Sequence, residues 1–510
     1  MGFIEINTIR KSVKRSTLRV GILYPSYYLV AADSIAYQML YHYLNLQEDV
    51  YAERFVMSQE GHPVVNSLET GTPLNHFDVV FISVHYELDF VNILRFMLNA
   101  KIPLRSEERF KPIFVAGGPP VISNPVPLSD FIDVLAVGEI ESIIPIFLER
   151  HMEEGNDKKR LLDTLDPLQG FFVPSVNNGE PVRLTFPLKL PREFHPAAQF
   201  QPLEYPGWRR RTSVETARGC YRGCRFCLEG RIFNVMRERP VEDILSIARE
   251  GREYNKSSLV KLVSLSFFDH SNAKRILQSL LEEGFRFSTP SFRAETLDED
   301  GLELVRRGGQ RTLVVAPETG SKRIALSIGK YVNMDRVHEV AAAAKKLGFT
   351  GLKMYFMVGL PGEAEEDVKE SINYVLRVSQ ASGFRGERAL KVTVSPFVPK
   401  PHTALQDAPF IGLEVARRRI KLLREGLAGV ADVREYDPRL ALIQTVIARG
   451  NREVGRLLLE WAQLGGGIGS FRKAVLNSGV TVKKYIGHQE PPHPWDFIQL
   501  NPRTLWIKST

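Results

Sequence analysis

Apolar residues in the first third of the chain come in short, nearly continuous runs at 18–24, 78–84, 112–116 and 132–137. Such runs predict strands buried on both faces of a parallel sheet. Between them, at 36–46 and 90–98, apolar positions follow a helical period. The alternation predicts a doubly wound, Rossmann-like α/β domain over 1–155. Two of its strand ends carry glycines, Gly117-Gly118 and Gly138. Glycine there lets backbone approach a ligand at the edge where such sheets bind cofactors, and it serves plain turn chemistry equally well.

The pattern fades over 156–206, where Pro174, Pro181, Pro187, Pro191 and Pro196 predict an extended linker. From 207 to 405 strand and helix patterns alternate six times, with strands at 213–216, 261–266, 286–292, 311–316, 352–358 and 391–396. Helices are expected at 241–254, 273–283, 335–347 and 366–378. Six βα units make a partial (β/α)6 barrel whose site lies at the C-terminal strand ends. Beyond 405 the pattern turns helical, at 414–427, 438–448, 451–464 and 471–476, and predicts a C-terminal helical cap over 406–510 that closes the open barrel.

All three cysteines of the 510-residue chain fall in one octapeptide after the first barrel strand, Cys220-Tyr221-Arg222-Gly223-Cys224-Arg225-Phe226-Cys227. Thiolates are the soft ligands that zinc and iron–sulfur clusters select, and this spacing wraps three of them around one centre. Zinc would need a fourth ligand, yet the nearest histidines, His195 and His270, follow no knuckle spacing. An iron–sulfur cubane is favoured. Held by three cysteines, it leaves one iron open to a ligand from outside the protein.

Composition adds less. The chain is 44% hydrophobic and 25% charged with a net charge of +8, which is compatible with an anionic partner and leaves nucleic acid neither indicated nor excluded. No apolar run approaches the roughly 18 residues of a membrane helix. The basic N-terminal segment lacks the apolar core of a secretion signal. With free thiols that need reducing surroundings, these features predict a cytoplasmic protein.

With an aromatic residue, Phe226, just before the last cysteine, C-x-x-x-C-x-x-C resembles the signature of the radical S-adenosylmethionine (SAM) enzymes. The resemblance implies a [4Fe–4S] cluster on Cys220, Cys224 and Cys227 whose open iron is chelated by SAM. Reductive cleavage would then yield a 5′-deoxyadenosyl radical, with ferredoxin or flavodoxin as the electron donor. It also implies where the cofactor is contacted. Ser266, in Ser264-Leu265-Ser266, ends the second strand where polar groups meet the methionyl amine, although the usual Gly-Gly-Glu is absent. Arg293 ends the third. Glu318, in Glu318-Thr319-Gly320-Ser321, would contact the ribose or methionyl part, and Lys330, twelve positions on, the carboxylate. Gly359, in Gly359-Leu360-Pro361-Gly362-Glu363, would border the adenine.

Residues 1–155 are similar to the cobalamin-binding-type domain found in many of these enzymes, which would put Gly117, Gly118 and Gly138 beside a corrinoid. The Asp-x-His-x-x-Gly motif that ligates cobalt is absent. His62 is the nearest imitation and lacks both the Asp and the Gly. Cobalamin therefore stays open, and its binding would involve no protein ligand to cobalt. The function implied is functionalisation of an unactivated carbon on an unknown substrate, by methylation if cobalamin binds. The alternatives are an RNA-modifying enzyme of the same superfamily without cobalamin, and a non-catalytic iron–sulfur or corrinoid module. A tRNA methylthiotransferase would need three further cysteines, which the chain does not have.

Overall fold

Six strands build the first sheet: β1 (Leu18–Tyr27), β2 (Val50–Met57), β3 (Val79–Ser83), β4 (Ile113–Gly117), β5 (Val134–Ala136) and β6 (Phe171–Phe172). Their order is β2-β1-β3-β4-β5-β6, parallel except for β6. This is one of the two common doubly wound orders, with its switch point between β1 and β3. Helices Ile35–Leu46 and Ile140–Glu154 bury Tyr37, Leu40, Leu44, Ile144 and Phe147 with Val20, Ile22, Phe81 and Val115 of the sheet. The computed structural model describes residues 4–14, 16–155, 157–330, 334–500 and 506–507.

The strand β2 is absent from the sequence-based expectation because Glu53 and Arg54 interrupt its apolar run. The fold buries both charges by pairing them. Glu53 accepts from Ser67 (2.6 Å), Thr70 (2.5 Å) and Arg19 (3.2 Å). The Arg54 guanidinium, with no exposed surface, bonds Glu69 (2.5 Å) and both oxygens of Glu5 (2.9 and 2.8 Å), and lies 3.9 Å from the Phe200 ring centroid. Removing one member of such a network strands the others in a dry interior. Arg54→Met is expected to lower stability by about 3–5 kcal/mol, read as an earlier urea midpoint in circular dichroism. The variant that also carries Glu5→Gln and Glu69→Gln should recover most of that loss.

The first compact unit comprises Met1–Arg210, Val446–Tyr485 and Glu490–Pro502. The linker expected over 156–206 is therefore largely built into it. Leu161, Leu162 and Leu165 of helix Lys158–Leu165, and Phe171 of β6, enter its core. The cap expected over 406–510 is not one piece either. Helix Arg452–Gln463 packs on helix Asp89–Asn99 within the first unit, and Gly455 permits its approach to Pro127, whose carbonyl oxygen would lie 2.8 Å from any Cβ there.

The second unit comprises Arg211–Thr445, Ile486–Gln489 and Arg503–Thr510. Strands β7 (Thr212–Glu215), β8 (Leu259–Val263) and β9 (Arg286–Ser288) form one parallel sheet. Strands β10 (Thr312–Glu318), β11 (Gly351–Val358), β12 (Leu390–Pro396) and β13 (Asp432–Glu435) form another. A parallel bridge between Phe292 and Val315 joins them into a partial barrel. The six expected strands are present, and β13 adds a seventh inside the region predicted to be all helical. Alternate residues of β10, β11 and β12 face the flanking helices and share one core, which leaves the intervening ones to the lumen.

Candidate active site

The cysteine loop leaves β7 through a turn that only glycine allows: at Gly219, with φ +92°, a Cβ would fall 2.1 Å from the Phe233 carbonyl oxygen. Within the loop the Cys227 amide bonds the Cys224 carbonyl (3.2 Å), and the Gly230 amide donates to Cys227 Sγ (3.3 Å). Two anchors hold it on the barrel. The Arg225 amide and guanidinium bond the carbonyls of Ile328 and Ser327, both at 2.9 Å, at the end of helix Lys322–Ser327. Arg222 makes a bidentate pair with Asp269, which also accepts from Tyr221 Oη (3.3 Å). Phe226 packs beside Ile324, Ile328, Leu360 and Phe397.

The three thiols are free and partly buried, and burial pushes Cys220 up and Cys227 up to about 12. Arg293 Nη1 lies 3.7 Å from Cys224 Sγ. Buried polar atoms without a hydrogen-bond partner include Arg293 Nε, Glu295 Oε1, which lies 3.8 Å from Arg293 Nη2, and Ser264 Oγ just past β8. Such atoms are costly unless something polar meets them. Ser266 is buried and opens the turn Phe267–Asp269 that presents Asp269.

Glu318 ends β10 at φ +68°, beyond an irregularity in its pairing with β11. The kink brings its carboxylate to 3.2 Å from Lys330 Nζ, with both side chains largely enclosed. Burial raises the carboxyl of Glu318, and the charges of Lys330 and Arg293 pull against that rise. Cys224, Arg293, Glu318 and Lys330 thus belong to one cluster of groups at the C-terminal ends of the strands. Gly359, φ +84°, has Ile411 within 2.7 Å of a Cβ position, and its amide bonds Glu363, which Arg419 anchors. The close approach at Gly359 is to the chain itself.

In the first unit the expected glycines also serve the fold. At Gly118, φ +122°, a Cβ would lie 1.9 Å from the Val84 carbonyl oxygen; Gly138 is covered by Thr185, whose Oγ1 would lie 2.3 Å from a Cβ. Gly117 faces Ala136 at 3.3 Å. The side chain that occupies the switch point is one the sequence reading passed over, His85, just after β3. Its Nε2 lies 3.2 Å from Ser34 Oγ and 3.1 Å from Ser83 Oγ, and its ring 5.2 Å from that of Tyr24. The imidazole is solvent-accessible yet walled in on most sides, and that desolvation lowers its pKa to about 4, so it is neutral at pH 7.

Residues 214–375, which span β7 to most of the helix after β11, match the family described as the radical SAM superfamily, and residues 36–174 match its N-terminal family, radical SAM proteins, N-terminal. The chain belongs to the radical SAM superfamily. An uncharacterized protein of Methanocaldococcus jannaschii is 29% identical over 94% of this chain and 98% of its own length. An uncharacterized methyltransferase of Pyrococcus horikoshii is 29% identical over 32% of this chain and 36% of its own. Among solved structures, the radical SAM methyltransferase TsrM from Kitasatospora setae, with cobalamin and a [4Fe–4S] cluster bound, shares the fold. Its TM-score is 0.53 at 13% identity, covering 91% of this chain and 98% of that one.

As a radical SAM enzyme the protein needs a reductant, SAM and a [4Fe–4S] cluster, and its residues fit that cluster. The thiols are free and partly buried, and Arg293 sets a guanidinium nitrogen 3.7 Å from that of Cys224. Among the described residues no three His, Cys, Asp or Glu side chains converge on a single-ion site. Among the described residues no helix is long and apolar enough to cross a membrane.

Proposed function

We propose that this radical SAM enzyme starts its reaction by abstracting hydrogen from an unactivated carbon, and that it methylates that carbon when a corrinoid is bound in the first unit. The observation that carries the reading is the gathering of Cys224, Arg293, Glu318 and Lys330 at the strand ends of one barrel. Cys220, Cys224 and Cys227 would hold the cluster, whose chemistry when bound would be to supply the electron for SAM cleavage. Arg293 places its cationic edge on a cluster thiolate, an arrangement that raises reduction potential. Glu318 and Lys330 would orient the methionyl and ribose end of SAM, the Ser266 and Ser264 hydroxyls would meet its amine, and Phe226 would border its adenine side, with Gly359 shaping that wall through its packing on Ile411. Water is kept out by the apolar patch of Ile324, Leu360 and Phe397 around Phe226.

Support for the corrinoid is the 2-1-3-4-5 strand order, whose switch point presents a neutral imidazole and two serine hydroxyls, together with the fold shared with a cobalamin-bound methyltransferase. An acidic ferredoxin or flavodoxin in the cytoplasm suits the net positive charge of the chain and its three reduced thiols. Anaerobic incubation with dithionite and SAM, with and without hydroxocobalamin, tests the whole. 5′-Deoxyadenosine is expected in both cases, and S-adenosylhomocysteine only with the corrinoid. Neither product from cluster-loaded protein would refute catalysis. Lack of any hydroxocobalamin binding at high micromolar concentration would remove methyl transfer.

A further inference from the structure

The lumen of the barrel carries a charge pattern that the cluster and SAM leave unused. On β11 and β12 the outward residues Leu352, Met354, Leu390 and Val392 sit in the helix-facing core, so Lys353, Tyr355, Lys391 and Thr393 face inward. Lys353 and Lys391 are direct partners across the two strands. Two ammonium groups therefore rise from opposed positions on one face, and like charges so placed destabilise a sheet.

Among the described residues neither lysine has a carboxylate within ion-pair reach. Asp432, the partner of Lys391 on β13, is engaged by Arg434 at 2.7 Å. The lumen acids at the strand ends are committed as well, Glu215 to Arg218 at 2.8 Å and Glu318 to Lys330 at 3.2 Å. Lys353 Nζ lies 4.6 Å from the centroid of Tyr355, the next lumen residue along the strand, so the side chain leans toward the end where the cysteine loop sits. A third lysine, Lys261, faces the lumen from β8.

We infer that the substrate of this enzyme is an oxyanion, a molecule whose carboxylate or phosphate group seats between Lys353 and Lys391 with the hydroxyls of Tyr355 and Thr393 beside it. Seated there, the anion relieves the lysine repulsion, and the remainder of the molecule extends up the lumen to the strand ends where SAM is cleaved. The assignment rests on the radical SAM reading of the barrel mouth for its chemistry, but its own test needs no turnover.

Calorimetric titrations of the cluster-loaded protein at low salt with inorganic pyrophosphate and with glutarate read the anion site directly. A parallel titration with SAM reads the mouth. One site per chain is expected for at least one of the two anions, weakened about tenfold or more by K353Q/K391Q, with cluster absorption and SAM affinity unchanged. Binding of pyrophosphate alone assigns a phosphate substrate, and of glutarate alone a carboxylate. Lys391→Met by itself should raise the thermal midpoint of the anion-free protein, because it removes a repulsion that no carboxylate among the described residues offsets, and should abolish the further rise that the anion gives. Absence of anion binding in the wild type, equal binding in the double variant, or an unchanged or lower midpoint for Lys391→Met would overturn the inference. Failure of SAM to bind would count against the reading of the mouth and leave the anion result standing.

Discussion

Anaerobically reconstituted protein is expected to carry about four irons and four sulfides per chain, and Cys224→Ala to carry none. The effect is all-or-nothing because no other cysteine exists to take the place of Cys224, and because its sulfur, beside Arg293, sits midway along a loop fastened at Arg222 and Arg225. The loop cannot slide a neighbouring donor into position without breaking one of those anchors. Iron and sulfide assays with visible absorption decide it. Stoichiometric zinc in the purified protein with no iron-dependent absorption would show instead that the thiols hold a single ion.

Lys330→Ala should weaken SAM binding about 10- to 150-fold, since a charge-assisted contact contributes about 1.5–3 kcal/mol. Cluster content should not change. The variant also leaves Glu318 enclosed without its cation, so the carboxyl, already raised by burial, rises further. Glu318→Gln with Lys330→Ala separates the two losses: if the second substitution adds little, the pair acts as a unit. A calorimetric affinity for SAM equal to wild type would return Lys330 to a purely structural partner of Glu318.

Features that depend on neighbouring residues in sequence were legible before the structure. Three cysteines in one octapeptide stand out as a candidate metal loop, because their spacing lies within one stretch of chain. Period and burial of the strands that became β1, β3, β4, β10, β11 and β12 are local properties, and they identified the doubly wound sheet and the barrel. The Glu318–Lys330 spacing could be noticed for the same reason, although only the backbone kink at Glu318 brings the two charges together.

What the tertiary structure alone decided are matters of distant partners. Strand β2 could not be seen because Glu53 and Arg54 look like surface residues until Arg19, Glu5 and Glu69 arrive from elsewhere to neutralise them. Asp269, the anchor of the cysteine loop, lies 47 residues from Arg222. His85 and the orphan atoms of Ser264, Arg293 and Glu295 gain meaning only from their place at strand ends. The lysines at 353 and 391 are ordinary alternating polar residues until register sets them face to face. The return of the chain to the first unit at Val446 is of the same kind, since an amphipathic helix states that it will bury one face but not against what. Pattern along the chain determined most of the elements and which loop gathers the three thiols; the pairing of charges across strands, which depends on register and burial, was settled only by the fold.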